Sequence, residues 1–276
     1  MTSTRTITIG DTVVQVSGEG APLVFLHGFT TTAEFWREQV EAFSVRHQMI
    51  RINLPGHGRS PSPEDRAYTI EAFVEDVHRV YRELAIDSAA LVGLSMGGTV
   101  AQTFALTYPE RVRALVLVGA TPHGLGADVN VDNVLKAIEH LGVVAASQKV
   151  IERSFGFDAS PALVDFAKNE VAQTPAFVAR QAIASLNASD SRARLGEIHV
   201  PTLVVVGEED IITPPDESQA LAEGIPDSLL AIISRAGHFP MLERPERFNP
   251  LLSDFLLRQG VLTPSVNTAT SVQDNV

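Results

Sequence analysis

The chain has 276 residues, 45% of them hydrophobic and 20% charged, which is enough to bury a large core. Its formal net charge of −12 argues against binding to nucleic acid or to anionic membranes, because both need clustered Lys and Arg. The chain has no cysteine, which excludes disulfides, thiolate zinc sites and a cysteine nucleophile.

Short β-rich runs alternate along the chain with helical patterns. The first two runs, residues 7–9 and 13–16, predict a hairpin around Gly10-Asp11. Six further apolar runs predict buried strands over residues 23–26, 49–53, 89–94, 114–118, 202–206 and 229–233. Helical patterns between most of them cover residues 33–43, 70–84, 97–108, 216–222 and 247–258.

This alternation predicts the fold class. Strands that alternate with helices form a mostly parallel sheet with helices on both faces. The runs Leu-Val-Phe-Leu and Thr-Leu-Val-Val-Val show no polar alternation, as expected for strands that are buried on both sides. We therefore expect an α/β protein with a mostly parallel sheet of eight strands.

The alternation is interrupted between residues 122 and 198. Four helical patterns occupy this segment, at residues 131–141, 145–155, 161–171 and 176–186. Helices inserted after a strand's carboxyl end lie over the edge where open α/β sheets bind ligands, so this segment is predicted to be a lid, with extra packing helices as the alternative. The core is then residues 1–121 and 199–260, followed by a polar tail over 261–276 that we expect to be flexible.

The stretch Gly93-Leu94-Ser95-Met96-Gly97 lies between a predicted strand and a predicted helix. A serine on so sharp a turn has a strained backbone, and flanking glycines remove the side chains that would collide there. Its hydroxyl then projects from the sheet edge, and the amide of Met96 at the helix start points to where an oxyanion would develop. Ser95 is the candidate nucleophile.

A serine nucleophile needs a base, and the base needs an orienting acid. Among eight histidines, His238 follows the last predicted strand and therefore lies at the same sheet edge as Ser95. Asp210 follows the strand over 202–206 at that edge and is the candidate acid, with Glu209 or Glu208 as alternatives.

The order Ser95, Asp210, His238 is that of catalytic triads in the α/β-hydrolase superfamily, which the chain resembles from about residue 10 to 260. The resemblance implies that the amide of Phe29 joins that of Met96 in an oxyanion hole, and that His27 shapes this loop. The matching motifs are His27-Gly28-Phe29, Asn53-Leu54-Pro55-Gly56-His57-Gly58-Arg59-Ser60, Gly93-Leu94-Ser95-Met96-Gly97-Gly98, Gly207-Glu208-Glu209-Asp210 and Ala236-Gly237-His238-Phe239-Pro240.

The resemblance is closest to small esterases and enol-lactonases, so we expect hydrolysis of a carboxylic ester or lactone through an acyl-enzyme. Such a reaction needs no metal and no organic cofactor, only water. Carbon–carbon bond hydrolases of ring-fission products are an alternative, although they usually have asparagine where this chain has Leu94. A cofactor-free perhydrolase and a non-enzymatic ligand receptor are further alternatives.

Four aromatic residues are candidate contacts for a small, apolar substrate: Trp36, Phe155, Phe166 and Phe177. For each of them, packing inside the protein is the competing interpretation. The N-terminus lacks the apolar stretch of a signal peptide, and no apolar run approaches the roughly 20 residues of a membrane span. A cytoplasmic location is therefore expected, and formation of a homo-oligomer is left open.

Overall fold

A sheet of eight strands lies at the centre of the molecule. The computed structural model describes residues 3–125, 130–171 and 174–261. Within them the strand order is β1-β2-β4-β3-β5-β6-β7-β8, and β2 alone runs antiparallel to its neighbours, so the predicted mostly parallel sheet is confirmed. The strands are β1 (Thr4–Ile9), β2 (Thr12–Ser17), β3 (Ala21–Leu26), β4 (His47–Asn53), β5 (Ala89–Leu94), β6 (Val112–Val118), β7 (Thr202–Gly207) and β8 (Ser228–Ile233).

Helices connect most of the parallel strands. They are α1 (Arg37–Phe43), α2 (Ile70–Glu83), α3 (Met96–Thr107), α4 (Val131–Leu141), α5 (Val143–Ser154), α6 (Pro161–Glu170), α7 (Ala176–Ala188), α8 (Pro215–Gly224), α9 (Pro240–Glu243) and α10 (Pro245–Arg258). The helix predicted over 33–43 is divided, because its first turn, Ala33–Trp36, is a 3₁₀ turn. The short helix α9 has no counterpart among the predicted elements.

Apolar side chains cover both faces of the sheet, which explains the continuous apolar strands. Along β3, Val24 and Leu26 point to one face and pack with residues of α2, α3 and α8. Leu23 and Phe25 point to the other face and pack with residues of α1 and α10. Because successive strand residues face opposite sides, a strand buried on both faces has no polar position.

The helices α4 to α7 lie between β6 and β7, in the segment where the sequence pattern is interrupted. The two ends of this segment meet, since the N–H of Ser191 donates to the carbonyl of Pro122 at 2.8 Å. The Ser191 hydroxyl also donates to Oε1 of Gln102 in α3 at 2.7 Å. The segment therefore leaves and rejoins the core at one point, and we call it the four-helix segment.

The far end of the chain is described only to Val261. This residue, the first of the predicted flexible tail, is buried and packs with the cluster around α10. The rest of that tail, residues 262–276, lies outside the described residues. Among the helices in the described ranges, none has both the length and the apolar composition that crossing a bilayer requires.

Gly97 allows α3 to start against the end of β3, and this predicts a large effect of a single methyl group. A Cβ at Gly97 would lie 2.5 Å from the carbonyl oxygen of His27 and 2.7 Å from that of Leu26. We expect Gly97→Ala to lower the free energy of unfolding by about 1–3 kcal/mol, the usual cost of overpacking. Thermal unfolding measures this.

The control is Gly196→Ala, because a Cβ there has no atom within 4 Å. Its melting temperature should stay close to that of the wild type. Equal melting temperatures for the two variants would contradict the tight packing at Gly97.

Candidate functional site

Four loops at the carboxyl edge of the sheet bring the candidate residues together. Ser95 follows β5, Gly119 follows β6, Asp210 follows β7 and His238 follows β8. These strands are neighbours in the sheet, and their carboxyl ends therefore share one edge. Ligands of open α/β sheets bind at this edge.

Ser95 has a strained backbone, with φ 51° and ψ −117°. A non-glycine residue in such a conformation costs about 1–3 kcal/mol, and strain of this kind is concentrated at functional sites. The turn is held by the N–H of Ser95, which donates to the carbonyl of Val118 at 2.9 Å. It also needs Gly93, because a Cβ there would lie 2.3 Å from the carbonyl oxygen of Gly97.

His238 and Asp210 form a buried pair. Nδ1 of His238 lies 2.8 Å from Oδ2 of Asp210, and both side chains are nearly inaccessible to solvent. The other carboxylate oxygen accepts hydrogen bonds from the amides of Ile212 and Thr213 at 2.8 and 3.0 Å. The Thr213 hydroxyl donates to Oδ2 at 2.9 Å. The carboxylate is therefore fixed from several sides, and its orientation fixes that of the imidazole.

The ionisation of Asp210 follows from these contacts. Burial acts to raise the pKa of the carboxyl, but His238 and the hydrogen bonds from His238 and Thr213 hold this pKa below its ordinary value. A carboxyl with a lowered pKa in the folded state stabilises the fold above the unfolded pKa. That contribution is lost only as the pH falls through the lower, folded-state pKa. Asp210 is thus an anion throughout the neutral range.

Gly119 makes room for the pair, and the sequence analysis did not identify it. A Cβ at this position would lie 3.0 Å from Nδ1 of His238 and 3.3 Å from Oδ2 of Asp210. Its φ of 50° is also unfavourable for other residues. The signal in the sequence is a glycine immediately after β6, at the edge that holds Ser95. Thr213 was missed as well; it lies three residues after Asp210, the spacing of a side chain that bonds a local turn.

The oxyanion-hole candidates lie beside Ser95. A Cβ at Gly28 would lie 3.4 Å from that of Ser95, so the loop carrying Phe29 is in contact with the nucleophile turn. Phe29, Ser95 and Met96 line one cavity. In the described part of the chain, the amides of Phe29 and Met96 donate no hydrogen bond to another protein group. Two free amides beside a serine are the donors that an oxyanion requires.

His27 holds the loop of Gly28 and Phe29 and is neutral. Its Nδ1 lies 2.8 Å from the carbonyl oxygen of Gly28, and its Nε2 accepts from the N–H of Leu54 at 3.0 Å. Burial, aided by the neighbouring His57, lowers the pKa of His27 to about 3. Burial likewise lowers the pKa of His57 to about 4. A neutral ring held by two hydrogen bonds agrees with the expectation that His27 shapes this loop.

A cavity of about 710 Å³ lies between the sheet edge and the four-helix segment. Ser95 and His238 line its floor on the core side. The four-helix segment supplies most of its apolar wall, from α4 (Val134, Ala137, Ile138, Leu141), α5 (Ala146, Val150, Ile151) and α7 (Ile183, Leu186). The exposed side chains of Leu141, Val150 and Ile211 are at the mouth. The cavity is thus suited to an apolar ligand.

Two of the predicted substrate contacts pack behind the cavity. Trp36 is fully buried, and its indole N–H donates to the carbonyl of Leu26 at 3.2 Å. The ring of Phe155 packs against that of Phe239, with centroids 5.1 Å apart, and Phe239 is the residue that lines the cavity. Trp36 and Phe155 therefore pack inside the protein in this structure, and their contact with substrate stays a prediction.

The other two predicted contacts also lie away from the cavity wall. Phe166 packs against Phe35 and beneath the guanidinium of Arg37, which lies 4.1 Å from the ring centroid. Phe177 packs against Tyr68, with ring centroids 5.7 Å apart. Both rings therefore pack inside the protein in this structure, and their contact with substrate stays a prediction.

A strained serine turn follows β5, and an acid–histidine pair follows β7 and β8. On a sheet with this strand order, the two features define the class of protein as the α/β-hydrolase fold. A family model described as "alpha/beta hydrolase fold" matches residues 21–136 and 157–245. The chain belongs to this family.

Its relatives are hydrolases. It is 30% identical over 230 residues to 3-oxoadipate enol-lactonase 2 of Acinetobacter baylyi. The aligned region covers 82% of this chain and 85% of that enzyme. It is 32% identical over 251 residues to a 2-hydroxy-6-oxononadienedioate/2-hydroxy-6-oxononatrienedioate hydrolase of Paraburkholderia phymatum, covering 85% and 86%. A thermophilic esterase from Thermogutta terrifontis superposes with a TM-score of 0.82 at 28% identity, covering 93% and 99%. The chain is a hydrolase of the α/β-hydrolase fold, in its esterase- and lactonase-like branch.

The cavity wall yields a prediction about ligand size. Ile183 of α7 lines the cavity, whereas Phe177 of the same helix packs against Tyr68 outside it. We expect Ile183→Ala to shift the ratio of kcat/KM for bulky over short acyl esters by about tenfold or more, because one methylene in an apolar pocket is worth about 1–3 kcal/mol.

The matched control is Phe177→Ala, which removes a larger side chain from the same helix. It should lower stability but keep the wild-type ratio. A larger change of ratio in Phe177→Ala than in Ile183→Ala would contradict the cavity wall described above.

Proposed function

We propose that the protein hydrolyses a carboxylic ester or lactone with Ser95 as nucleophile, His238 as base and Asp210 as orienting acid. The observation that carries this proposal is that a strained serine and a histidine already paired with a buried carboxylate line one apolar cavity. The enol-lactonase and esterase among its relatives support the same chemistry.

The first half of the reaction forms an acyl-enzyme. Oγ of Ser95 attacks the substrate carbonyl carbon while His238 accepts the hydroxyl proton at Nε2. The carbonyl oxygen becomes an oxyanion, which the amides of Phe29 and Met96 stabilise. The tetrahedral intermediate collapses, the bond to the leaving oxygen breaks, and His238 returns the proton to that oxygen. Ser95 then carries the acyl group.

The second half consumes one water. His238 accepts a proton from water as the water oxygen attacks the acyl carbon, and the new oxyanion is held by the same two amides. The intermediate releases the acid and Ser95 recovers its proton from His238. Asp210 stabilises the imidazolium in both halves without accepting a proton, because its pKa is held below the ordinary value.

The substrate class follows from the cavity. Its lining is mostly apolar, although polar and charged residues of α4 and α5 such as Asn133 and Arg153 also belong to it, so the largely apolar acyl group of a small substrate fits best. The four-helix segment supplies most of this wall, and we include its action as a lid in the proposal. In this arrangement the core supplies the chemistry and the segment selects the acyl group.

Cleavage of a carbon–carbon bond is the second candidate. The hydrolase of Paraburkholderia phymatum, at 32% identity, favours it, and Leu94 argues against it because such enzymes usually have asparagine there. A panel of p-nitrophenyl esters, lactones and vinylogous diketones separates the two. Turnover of diketones alone would overturn the ester or lactone assignment.

The nucleophile is tested directly by Ser95→Ala. We expect ester turnover to fall to the low residual rate that the site supports without its nucleophile. The melting temperature should stay near that of the wild type, because the hydroxyl is half-buried and makes few packing contacts. Covalent labelling gives an independent measurement: a fluorophosphonate should modify Ser95, as read by mass spectrometry of the peptide. Full inhibition with the label on another residue would exclude Ser95 as nucleophile.

The acid is tested by Asp210→Asn. This change keeps the size of the side chain but removes the charge that orients His238, and we expect kcat to fall by a factor on the order of 10⁴. Glu208→Gln is the matched control, because Glu208 lies in the same loop but is exposed, and among the described residues its side chain accepts only the N–H of Arg235, at 3.3 Å. A strongly lowered kcat in Glu208→Gln, together with a wild-type kcat in Asp210→Asn, would overturn the assignment of Asp210 as the acid.

A further inference from the structure

A second buried carboxylate lies close to the catalytic histidine but outside the triad. Glu243, at the end of α9, is 6% exposed. Its Oε1 accepts hydrogen bonds from the amides of Gly237 and Phe239, at 3.0 and 3.2 Å. Its Oε2 accepts from the amide of Gly156 at 2.8 Å. One carboxylate thus holds the loop of His238 and a point on the four-helix segment.

The segment of residues 154–157, which begins at the last residue of α5, is pressed against this loop, and we call it the strap. The N–H of His238 itself donates to the carbonyl of Ser154 at 2.6 Å. A Cβ at Gly237 would lie 2.3 Å from that same carbonyl oxygen, and a Cβ at Gly156 would lie 3.1 Å from the amide nitrogen of Gly237. Glycine keeps both sides of this contact free of side-chain atoms, so the strap and the histidine loop lie main chain against main chain.

Simple packing does not account for a carboxylate at this position. Burial raises the pKa of Glu243 against the effect of its three amide donors. Within the described ranges its carboxylate makes no direct ion pair, and the neighbouring Arg244 acts to lower the pKa without outweighing burial. A buried charge without a partner ion is costly, and an apolar side chain would fill the same space at lower cost. What the apolar side chain could not do is accept three amides.

On the basis of the function proposed above, we infer that Glu243 is a positioning residue: it fixes the backbone on both sides of His238 and ties this backbone to the strap. The imidazole is then located by Asp210 through its ring and by Glu243 through its main chain. Since the strap continues from α5, which lines the cavity, the position of His238 depends on where α5 lies. A displacement of about 1 Å at such a group can cost about 100-fold in rate.

Glu243→Gln tests this inference with almost no change in shape. Gln retains one acceptor oxygen but presents an NH₂ where the second oxygen was, and an NH₂ cannot accept the amide of Gly156 or of Gly237. We expect kcat for p-nitrophenyl acetate to fall by about 10- to 100-fold with KM little changed, as for an interaction that acts on the reacting groups. Rates are counted per serine that a fluorophosphonate can label, which removes unfolded protein from the measurement.

Glu208→Gln is again the control, since it also removes a carboxylate that accepts a main-chain amide of the same loop, at Arg235. It should keep the wild-type kcat. A purely structural role for Glu243 would lower the melting temperature of Glu243→Gln and leave kcat per labelled serine unchanged, and this result would overturn the inference.

A second variant approaches the same contact from the other side. Gly156→Ala leaves Glu243 intact, but its Cβ would lie 3.0 Å from Oε2 of Glu209 and 3.1 Å from the amide nitrogen of Gly237, so it displaces the strap. It should also lower kcat per labelled serine, and the double variant should lose less than the product of the two single losses. Independent effects, with the losses multiplying, would overturn the coupling. If Glu243→Gln does not fold, an unchanged kcat in Gly156→Ala is enough to overturn the coupling between the strap and His238.

The proposed function can fail separately from this inference. Failure of the wild type to hydrolyse esters, or to be labelled at Ser95, overturns the function. Labelling and turnover in the wild type, with wild-type kcat in Glu243→Gln, overturns only the role of Glu243.

Discussion

The close approach of main chains around Ser95 is the constraint on which the rest of the site depends. The strained turn exists only because glycines at 93 and 97 let β5, α3 and the end of β3 lie closer together than any Cβ would allow. That approach also brings the loop of Gly28 and Phe29 against the nucleophile. The energy of the strain is offset by the buried apolar packing of β3, β5 and α3 on both faces of the sheet. A rigid core is therefore a condition for the geometry of Ser95.

The acid–histidine pair, in contrast, is held in place by hydrogen bonds inside a buried loop. Asp210 is an anion because His238 and three donors from residues 212 and 213 outweigh the cost of burial. Gly119, from a third loop, leaves the space that the ring occupies. Packing thus determines where Ser95 lies, whereas polar contacts determine where His238 points.

The sequence predicted the sheet well, and it predicted that Ser95, Asp210 and His238 follow strands that end at one edge, because both predictions depend on local patterns. Continuous apolar runs specify strands buried on two faces, and the glycines around Ser95 specify a turn that few other residues allow. The cavity wall could not be predicted from aromatic content, since Phe166 packs against Phe35 and Phe177 against Tyr68, outside the cavity lining. The helical spacing of Val134, Ile138 and Leu141 was the available signal, but spacing alone does not say whether a face meets a cavity or another helix. The link from Glu243 to the strap gave no local signal, because Gly156 is 87 residues away.

The two sides of the cavity are built from different parts of the chain. The candidate residues Ser95 and His238 come from loops of the core, and most of the apolar wall comes from the four-helix segment, whose two ends meet at Pro122 and Ser191. Under the proposed function, a segment attached at one point could change its helices without disturbing the core, and the candidate residues would then be kept. The strap limits this freedom. Because it contacts the histidine loop through main-chain atoms and two glycines, the wall can vary in its side chains, whereas the path of the chain after α5 has to be kept.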